Sequence, residues 1–310
     1  MTAEIQEAAG ETAGYLYRFA EYYRRQGTPV TIAAKSLWIE HNRAVVPVGP
    51  VQHDRSISLA EARDLLKRFS KALLLFYTDG FENTPERSNW YYVVLKRPTD
   101  LSALRAKERS EIRRGLKECV VRKVAAEYLA KHAYGVHARA HARYAEAQGR
   151  TVHSRGEGDF AREMLLAAEF SDIIDFWGVY VGDELVGYGQ ANRFGTAETF
   201  YAVIELDPAY FKAYSSYAIV HTMNEFYLRE CGVAYVNDGY RSILHRTQFQ
   251  DFLVNKFGFE RQVTGLHIVY RPWVAAVMSC PAFLKRIAGR AVQRFAALNE
   301  LDAAAVTREF

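Results

Sequence analysis

The sequence predicts an α/β fold made of two units, each with a mixed, mostly antiparallel sheet flanked by helices. Three observations support this prediction. Residues 197–270 follow the order strand, helix, strand, helix, strand. The first hundred residues repeat a related order, a hairpin followed by a helix and two strands. The chain has 310 residues, 49% of them hydrophobic, which is enough to bury two cores of ordinary domain size.

Local signals mark the elements of the first hundred residues. Ser58 is followed three residues later by Glu61, a spacing that predicts a capping box at the start of a helix. Two apolar runs on either side of a short polar turn predict a hairpin. The predicted elements are a helix at 15–26, a hairpin at 36–51 joined at 41–43, a helix from Ser58, and strands at 71–80 and 89–98.

A basic helix is predicted to follow from near Asp100 or Ser102. Residues 105–123 carry a local charge of +5, and Gly115 marks a possible interruption. A solvated helix face is the plain interpretation of this run, and contact with phosphate is the functional one. The candidates for nucleic-acid contact are Arg109, Arg113, Arg114 and Lys117.

Residues 125–148 are rich in Ala, Tyr and His and are predicted to form one helix. His137 and His141 have the i, i+4 spacing of helical metal ligands. No carboxylate is spaced nearby in the sequence to complete a site, and the alternation of His, Ala and Arg is typical of an exposed polar face. We therefore predict no metal site.

Two carboxylates end neighbouring strands in the second half of the chain. A hairpin turning at 182–184 is followed by a strand over 199–206, which delivers Glu205, and by a strand over 233–237, which delivers Asp238. A helix is predicted from near Ile243 to Lys256. Open α/β sheets bind ligands at such strand ends, so we expect a polar cleft there.

These motifs together resemble a known superfamily. The hairpin with GDELVG, the strand and helix order, and the closing NKFGFERQVTGLHIVY are similar to the GNAT acyltransferase fold over about 170–272. The basic RSEIRRGLK between two such units is similar to the tandem-GNAT arrangement of FemABX-like proteins, over 30–272. The domains expected are an N-terminal GNAT-like unit at 1–120, a helical linker at 121–170, a catalytic unit at 171–272 and a helical tail at 273–310.

The resemblance implies an acyltransferase that forms an amide by direct attack of an amine on an activated acyl group. Such chemistry needs a proton acceptor, a backbone that polarises the acyl carbonyl and a site for the phosphates of the donor. Asp238 and Glu205 are the first candidates for the proton acceptor, and His245 is the next. A strand N–H in the region 187–190 is the candidate for polarising the carbonyl.

Two departures from the GNAT pattern bear on the donor. The stretch 207–218 lacks the glycines that cradle a pyrophosphate, and Val254 stands where many GNAT enzymes have a tyrosine. Both departures favour aminoacyl-tRNA over acetyl-CoA or another acyl-CoA, although an acyl-CoA-dependent N-acetyltransferase stays open. The donor-binding candidates are Lys212, Tyr214, Ser215, Ser216, Gly187, Gly189, Gln190 and Arg241.

The remaining expectations concern partners and location. The acceptor is expected to be an amine-bearing small molecule or peptide, with tRNA as a possible partner and no tightly bound cofactor. A module that binds RNA or peptide without chemistry is a further alternative. Three cysteines without pairing or zinc spacing, and no apolar run of about 20 residues, predict a reduced, cytoplasmic protein without a membrane span.

Overall fold

A computed structural model describes residues 11–53, 55–83, 89–148, 155–241, 248–278, 301, 304–305 and 307–309. Its helices are α1 (Glu11–Arg25), α2 (Leu59–Lys67), α3 (Ala106–Glu118), α4 (Ala126–His132), α5 (Tyr134–Gln148), α6 (Glu157–Ala168), α7 (Ser215–Asn224), α8 (Phe249–Phe257) and α9 (Pro272–Met278). Its strands are β1 (Val30–Ala33), β2 (Ser36–His41), β3 (Ala44–Val48), β4 (Leu74–Asp79), β5 (Tyr91–Leu95), β6 (Val120–Val124), β7 (Ile174–Val181), β8 (Glu184–Phe194), β9 (Glu198–Leu206), β10 (Tyr235–Tyr240), β11 (Glu260–Val263), β12 (Gly265–Tyr270) and β13 (Thr307–Glu309).

The chain divides into two compact units, and neither is continuous in sequence. The first unit comprises Met1–Val93, Tyr240–Asp251 and Glu260–Phe310, and the second comprises Val94–Gly239 and Phe252–Phe259. These limits differ from the predicted ones. Strand β12, expected in the catalytic unit, pairs with β4 over its whole length and so belongs to the first unit. The basic helix α3, expected in the N-terminal unit, belongs to the second.

The first unit holds a sheet with the order β1-β2-β3-β4-β12-β13. The hairpin between β2 and β3 turns at Asn42 and Arg43, which both have positive φ as a type I′ turn requires. The predicted capping box is present, since Ser58 accepts from the backbone of Glu61 and the Glu61 carboxylate accepts from the backbone of Ser58. Both of these locally encoded features are therefore confirmed.

A histidine and a carboxylate pair across two strands of the first unit. Nε2 of His267 on β12 lies 2.9 Å from Oδ2 of Asp79 on β4. The His267 ring also stacks on Tyr77, with ring centroids 4.8 Å apart. The Asp79 side chain is 37% exposed, so this pair lies at the surface of its sheet.

Five strands of the second unit follow the order β10-β9-β8-β7-β6. Strands β6 to β9 pair antiparallel in sequence, and β10 pairs parallel to β9. The β7–β8 hairpin turns at Gly182, as predicted, with a φ of +59°. Strand β6 was not predicted, because its residues were assigned to the basic helix.

Strands β9 and β10 pair in parallel only over the first residues of β9. Pairing runs from Tyr235↔Glu198 to Asn237↔Phe200, whereas β9 continues to Leu206. Strand β9 also carries one extra residue, because Gln190 faces Val203 and the next residue of β8 faces Tyr201. The C-terminal part of β9, beyond Phe200, therefore pairs with β8 and not with β10.

Gly115 does not interrupt the basic helix, contrary to the prediction. Helix α3 is continuous through it, and a Cβ at this position would lie 2.7 Å from the backbone oxygen of Tyr214 and 3.2 Å from the nitrogen of Ala218. Glycine is needed here because α3 packs closely against the start of α7. The helix predicted over 125–148 is divided instead, into α4 and α5, by a break at Ala133.

The remaining predicted elements are partly outside the described residues. The tail helix expected at 282–298 and the first part of the helix expected at 243–256 lie outside them, and α8 forms the rest of that second helix. Asp238, expected in a turn, lies within β10. Among the described helices, none has the length and apolar character that crossing a membrane requires.

Candidate active site

Helix α5 presents two histidines to the second unit's sheet. It packs against β8 and β9, and the i, i+4 spacing of His137 and His141 places both rings on the same face. His137 is buried, and the His141 side chain is 29% exposed. The prediction of an exposed polar face is therefore wrong for His137, because that face covers the sheet.

Glu205 of β9 lies at the centre of this cluster. Its Oε2 lies 2.8 Å from Nδ1 of His137, and its Oε1 lies 3.2 Å from Nε2 of His141. The hydroxyl of Tyr188, which is opposite Glu205 on β8, donates to Oε2 over 2.7 Å. Three polar side chains from two elements, α5 and β8, thus converge on one carboxylate, which is 17% exposed.

The surroundings keep the Glu205 carboxylate ionised. Burial raises its pKa, but the hydrogen bonds from His137 and Tyr188 outweigh burial and bring the pKa below its ordinary value. Burial and the charge of Glu205 together raise the pKa of Tyr188, so the phenol stays a donor. The cluster therefore holds an ionised carboxylate that is stabilised by its neighbours.

The inner nitrogens of both rings face the carboxylate. Because a carboxylate only accepts hydrogen bonds, each imidazole donates the N–H that points at Glu205. The outer nitrogens, Nε2 of His137 and Nδ1 of His141, have no hydrogen-bond partner among the described residues. The ring centroids are 4.2 Å apart, so two imidazolium charges here would repel each other by about 4 kcal/mol.

An ion pair next to the cluster holds α5 against the end of β9. Nε of Arg139 donates to Oδ2 of Asp207 over 2.6 Å, and the other carboxylate oxygen of Asp207 accepts from the backbone of Ala209. The Asp207 side chain is buried. Since Arg139 lies between the two histidines in the sequence, this pair fixes the helix at the level where both rings reach Glu205.

Of the three predicted proton acceptors, the structure places only Glu205 in this cluster. Asp238 lies one residue beyond the end of the β9–β10 pairing, level with Tyr201, and so roughly 10 Å short of Glu205 along the strand. The expectation that these two carboxylates meet at one edge is therefore wrong. His245 lies outside the described residues.

The glycines of β8 have a packing role. A Cβ on Gly189 would lie 3.0 Å from Ile219 and 3.4 Å from Met223, both on α7, and a Cβ on Gly187 would meet Leu206. Strand β8 is also flanked by β7 and β9, which use its backbone groups. The pairing of β8 is irregular at Gln190, so a carbonyl-polarising N–H at 187–190 stays a prediction. Gln190 is buried and donates to Asn192.

The other donor-binding candidates fall into two groups. Arg241 belongs to the first unit, where its guanidinium donates to the backbone oxygen of Asn89. Those in the second unit lie around the start of α7, where Tyr214 has a φ of +56° and Ser215 is fully buried. Lys212 is exposed and Ser216 is half-buried. Donor contact at these positions stays a prediction.

The basic candidates on α3 have different surroundings. Nη1 of Arg109 donates to the backbone oxygen of Leu104, so it stabilises the loop before the helix. Arg114 pairs with Glu118 over 2.8 Å and also lies over the ring of Tyr214. Arg113 and Lys117 are exposed, one turn apart on the same helix. These last two are the better placed for an external phosphate.

The sequence analysis missed His137, His141 and Tyr188 as partners of Glu205. The i, i+4 spacing of the histidines was visible in the sequence, but their carboxylate lies 68 and 64 residues further along the chain. His137, His141 and Glu205 could also hold a metal ion, since one ligand atom from each lies within 4.8 Å of the other two. Tyr188 gives no local signal, because it occupies an ordinary strand position.

Comparison with solved structures finds similar chains at low sequence identity. One is the C-terminal domain of a putative lysylphosphatidylglycerol synthetase from Agrobacterium fabrum, with 13% identity, a TM-score of 0.53, and coverage of 86% of this chain and 94% of that one. FemX has 10% identity, a TM-score of 0.49 and coverage of 80% and 88%. A tandem GNAT protein from the clavulanic acid biosynthesis pathway has 12% identity, a TM-score of 0.40 and coverage of 74% and 76%.

At these identities the likeness bears on fold alone. No protein-family model matches the chain, and no curated protein is detectably similar to it in sequence. The similarity to the synthetase domain extends over most of both chains. The fold class predicted from the sequence is confirmed as two α/β units, each with a mixed sheet flanked by helices.

Proposed function

We propose that the chain is an acyltransferase that transfers an aminoacyl group from aminoacyl-tRNA to an amine acceptor, a small molecule or a peptide. The observation that carries this proposal is the ionised Glu205 carboxylate, held by His137, His141 and Tyr188 at the end of β9. An amine is mostly protonated at neutral pH, so its attack requires a nearby proton acceptor. The GNAT-like fold is consistent with this reaction class.

In the proposed reaction the amine nitrogen attacks the ester carbonyl of the donor. The C–N bond of the amide forms, and the C–O bond to the ribose breaks. The proton released by the amine passes to the Glu205 carboxylate, which His137, His141 and Tyr188 hold in place. The leaving ribose oxygen takes its proton from the neighbouring hydroxyl or from solvent. Backbone N–H groups of β9 beyond Phe200, where the pairing with β10 ends, would polarise the carbonyl.

The start of α7 supports a donor other than acyl-CoA. A pyrophosphate cradle needs open backbone N–H groups at a helix N-terminus. Here Gly115 of α3 packs against the backbone of Tyr214 and Ala218, and Ser215 at the start of α7 is fully buried. The exposed cations Arg113 and Lys117 on α3 give a tRNA donor two phosphate contacts.

The test measures donor consumption by the purified protein. It is mixed with total tRNA charged with labelled amino acids, or with acetyl-CoA, and each mixture receives a pool of amines and peptides. We expect acceptor-dependent loss of aminoacyl-tRNA with formation of labelled amide, and no release of thiol from acetyl-CoA. Thiol release with amide formation would establish the acyl-CoA alternative. Consumption of neither donor, with retained tRNA binding, would establish a binding module without chemistry.

The α3 contacts provide a matched control for the tRNA part. Changing Arg113 and Lys117 to Gln removes two exposed cations, so the slope of log affinity against log salt should fall by about two. Lys67→Gln, in the first unit and paired with Asp64, should leave the slope unchanged. An equal slope in both proteins would contradict tRNA binding by α3.

A further inference from the structure

Three side chains in the second unit converge as a metal site does. One ligand atom each from His137, His141 and Glu205 lies within 4.8 Å of the other two, and Nδ1 of His137 and Nε2 of His141 face the carboxylate. We propose that these residues bind a divalent transition-metal ion, with Zn²⁺ as the ion that fits best. Binding of the ion does not depend on the proposed acyl transfer, and the two properties can be tested separately.

The distances suit zinc after a small adjustment. Zn²⁺ binds imidazole nitrogen and carboxylate oxygen at about 2.0–2.2 Å, so tetrahedral ligand atoms are about 3.3 Å apart. The nitrogen–oxygen separations here are 2.8 Å, from His137 to Oε2, and 3.2 Å, from His141 to Oε1. Small rotations of these side chains would bring the ligand atoms to the spacing that the ion requires. It would replace the protons that now lie between each ring and the carboxylate.

The donor set selects the class of ion. Two imidazoles and one carboxylate favour Zn²⁺ and its neighbours, whereas Mg²⁺ and Ca²⁺ prefer oxygen ligands. Imidazole binds a metal ion in its neutral form, so Glu205 would supply the negative charge of the three ligands. Three protein ligands leave a fourth position for water or another ligand, as in zinc sites of the open type.

The surroundings hold these ligands in place. The hydroxyl of Tyr188 donates to Glu205, which is the kind of outer hydrogen bond that orients a carboxylate ligand. The pair between Arg139 and Asp207 fixes α5 along β9. His137 is buried and His141 is partly exposed, so the ion can enter from the His141 side.

Metal binding and proton acceptance use the same atoms. In the proposed reaction the amine's proton passes to the Glu205 carboxylate, and a bound ion would occupy an oxygen of that carboxylate. The metal-bound protein is therefore the inhibited form, and removal of the ion restores the proton acceptor. Zinc affinity would in this way set the fraction of active protein.

The test is a titration of the full chain, freed of metal with a chelator. We expect calorimetry to report one Zn²⁺ per chain, and Co²⁺ to give the visible spectrum of a four-coordinate ion. His141→Ala should weaken binding by about 100-fold or more, since even outer-shell changes cost about 10- to 100-fold. His267→Ala is the matched control, because it removes a histidine paired with a single carboxylate, and it should leave the affinity unchanged.

A second measurement on the unaltered protein covers the case in which His141→Ala does not fold. X-ray absorption of the zinc-loaded chain should show imidazole and oxygen ligands at about 2.0–2.1 Å and no sulfur at about 2.3 Å. Thiolate ligands, no stoichiometric binding, or equal affinity in His141→Ala would overturn the metal site. None of these results bears on amide formation, which is measured in the presence of chelator.

Discussion

The two units each place a histidine beside a carboxylate, and the two arrangements differ in what they can do. In the first unit, His267 and Asp79 meet across β12 and β4, and the carboxylate is 37% exposed. In the second, Glu205 is shared by His137 and His141 and accepts from Tyr188 as well. Solvent screens the interaction of His267 with Asp79, whereas the charge of Glu205 is stabilised by hydrogen bonds from its neighbours.

The difference arises from the elements that carry the histidines. A strand offers one side chain to a given point, because its neighbours on the same face are two residues away. A helix offers two, at i and i+4, and α5 delivers both rings to one residue of β9. A carboxylate with a depressed pKa and several partners is typical of a functional site, and a single surface pair is typical of a structural contact.

Replacing one histidine in each arrangement is expected to give the largest difference in loss of stability between the two units. His137→Ala should destabilise the second unit by about 2–4 kcal/mol, because it leaves a cavity and removes a partner of a largely buried carboxylate. His267→Ala should cost only about 1 kcal/mol, since its partner is exposed and it loses chiefly a ring contact with Tyr77.

Hydrogen exchange read peptide by peptide measures this contrast. His137→Ala should speed exchange in β8 and β9 and leave β4 and β12 unchanged, and His267→Ala should have a smaller effect, confined to β4 and β12. If the two variants lost equal protection in their own sheets, the distinction between the arrangements would be wrong.

A smaller difference is expected from two glycines beside these carboxylates. In Gly187→Ala the new Cβ meets Leu206 and lies 3.2 Å from the backbone oxygen of Glu205, so β8 and β9 must shift, at about 1–3 kcal/mol. In Gly265→Ala the new Cβ meets the carboxylate of Asp79, an exposed side chain that can move, at less than about 1 kcal/mol. The thermal midpoints of the two variants check this order, and a larger loss in Gly265→Ala would contradict it.

Features encoded by neighbouring residues were predictable from the sequence. The capping box at Ser58 and Glu61 and the β7–β8 turn at Gly182 need only a few adjacent residues. The unit boundaries were not predictable, because they depend on the pairing of β12 with β4, nearly 200 residues apart. Glu205 itself was predicted from the sequence, as a carboxylate at the end of a strand.

The partners of Glu205 could not be read from the sequence for a related reason. His137 and His141 were recognised as a helical pair, but which strand the helix covers is decided by packing between distant elements. Asp238 was predicted to lie beside Glu205 because both strands were assumed to end at the same level of the sheet. The pairing of Asn237 with Phe200 places Asp238 near the start of β9, far from Glu205.

The central claim is that the Glu205 cluster accepts the proton of the attacking amine. The direct measurement is single-turnover amide formation from charged tRNA in the presence of a chelator, with Glu205→Gln and Asp79→Asn compared. We predict a loss of about 100-fold or more in Glu205→Gln, which keeps the shape and removes the charge, and a change of less than about threefold in Asp79→Asn. Turnover by Glu205→Gln within about threefold of the unaltered protein would contradict the account.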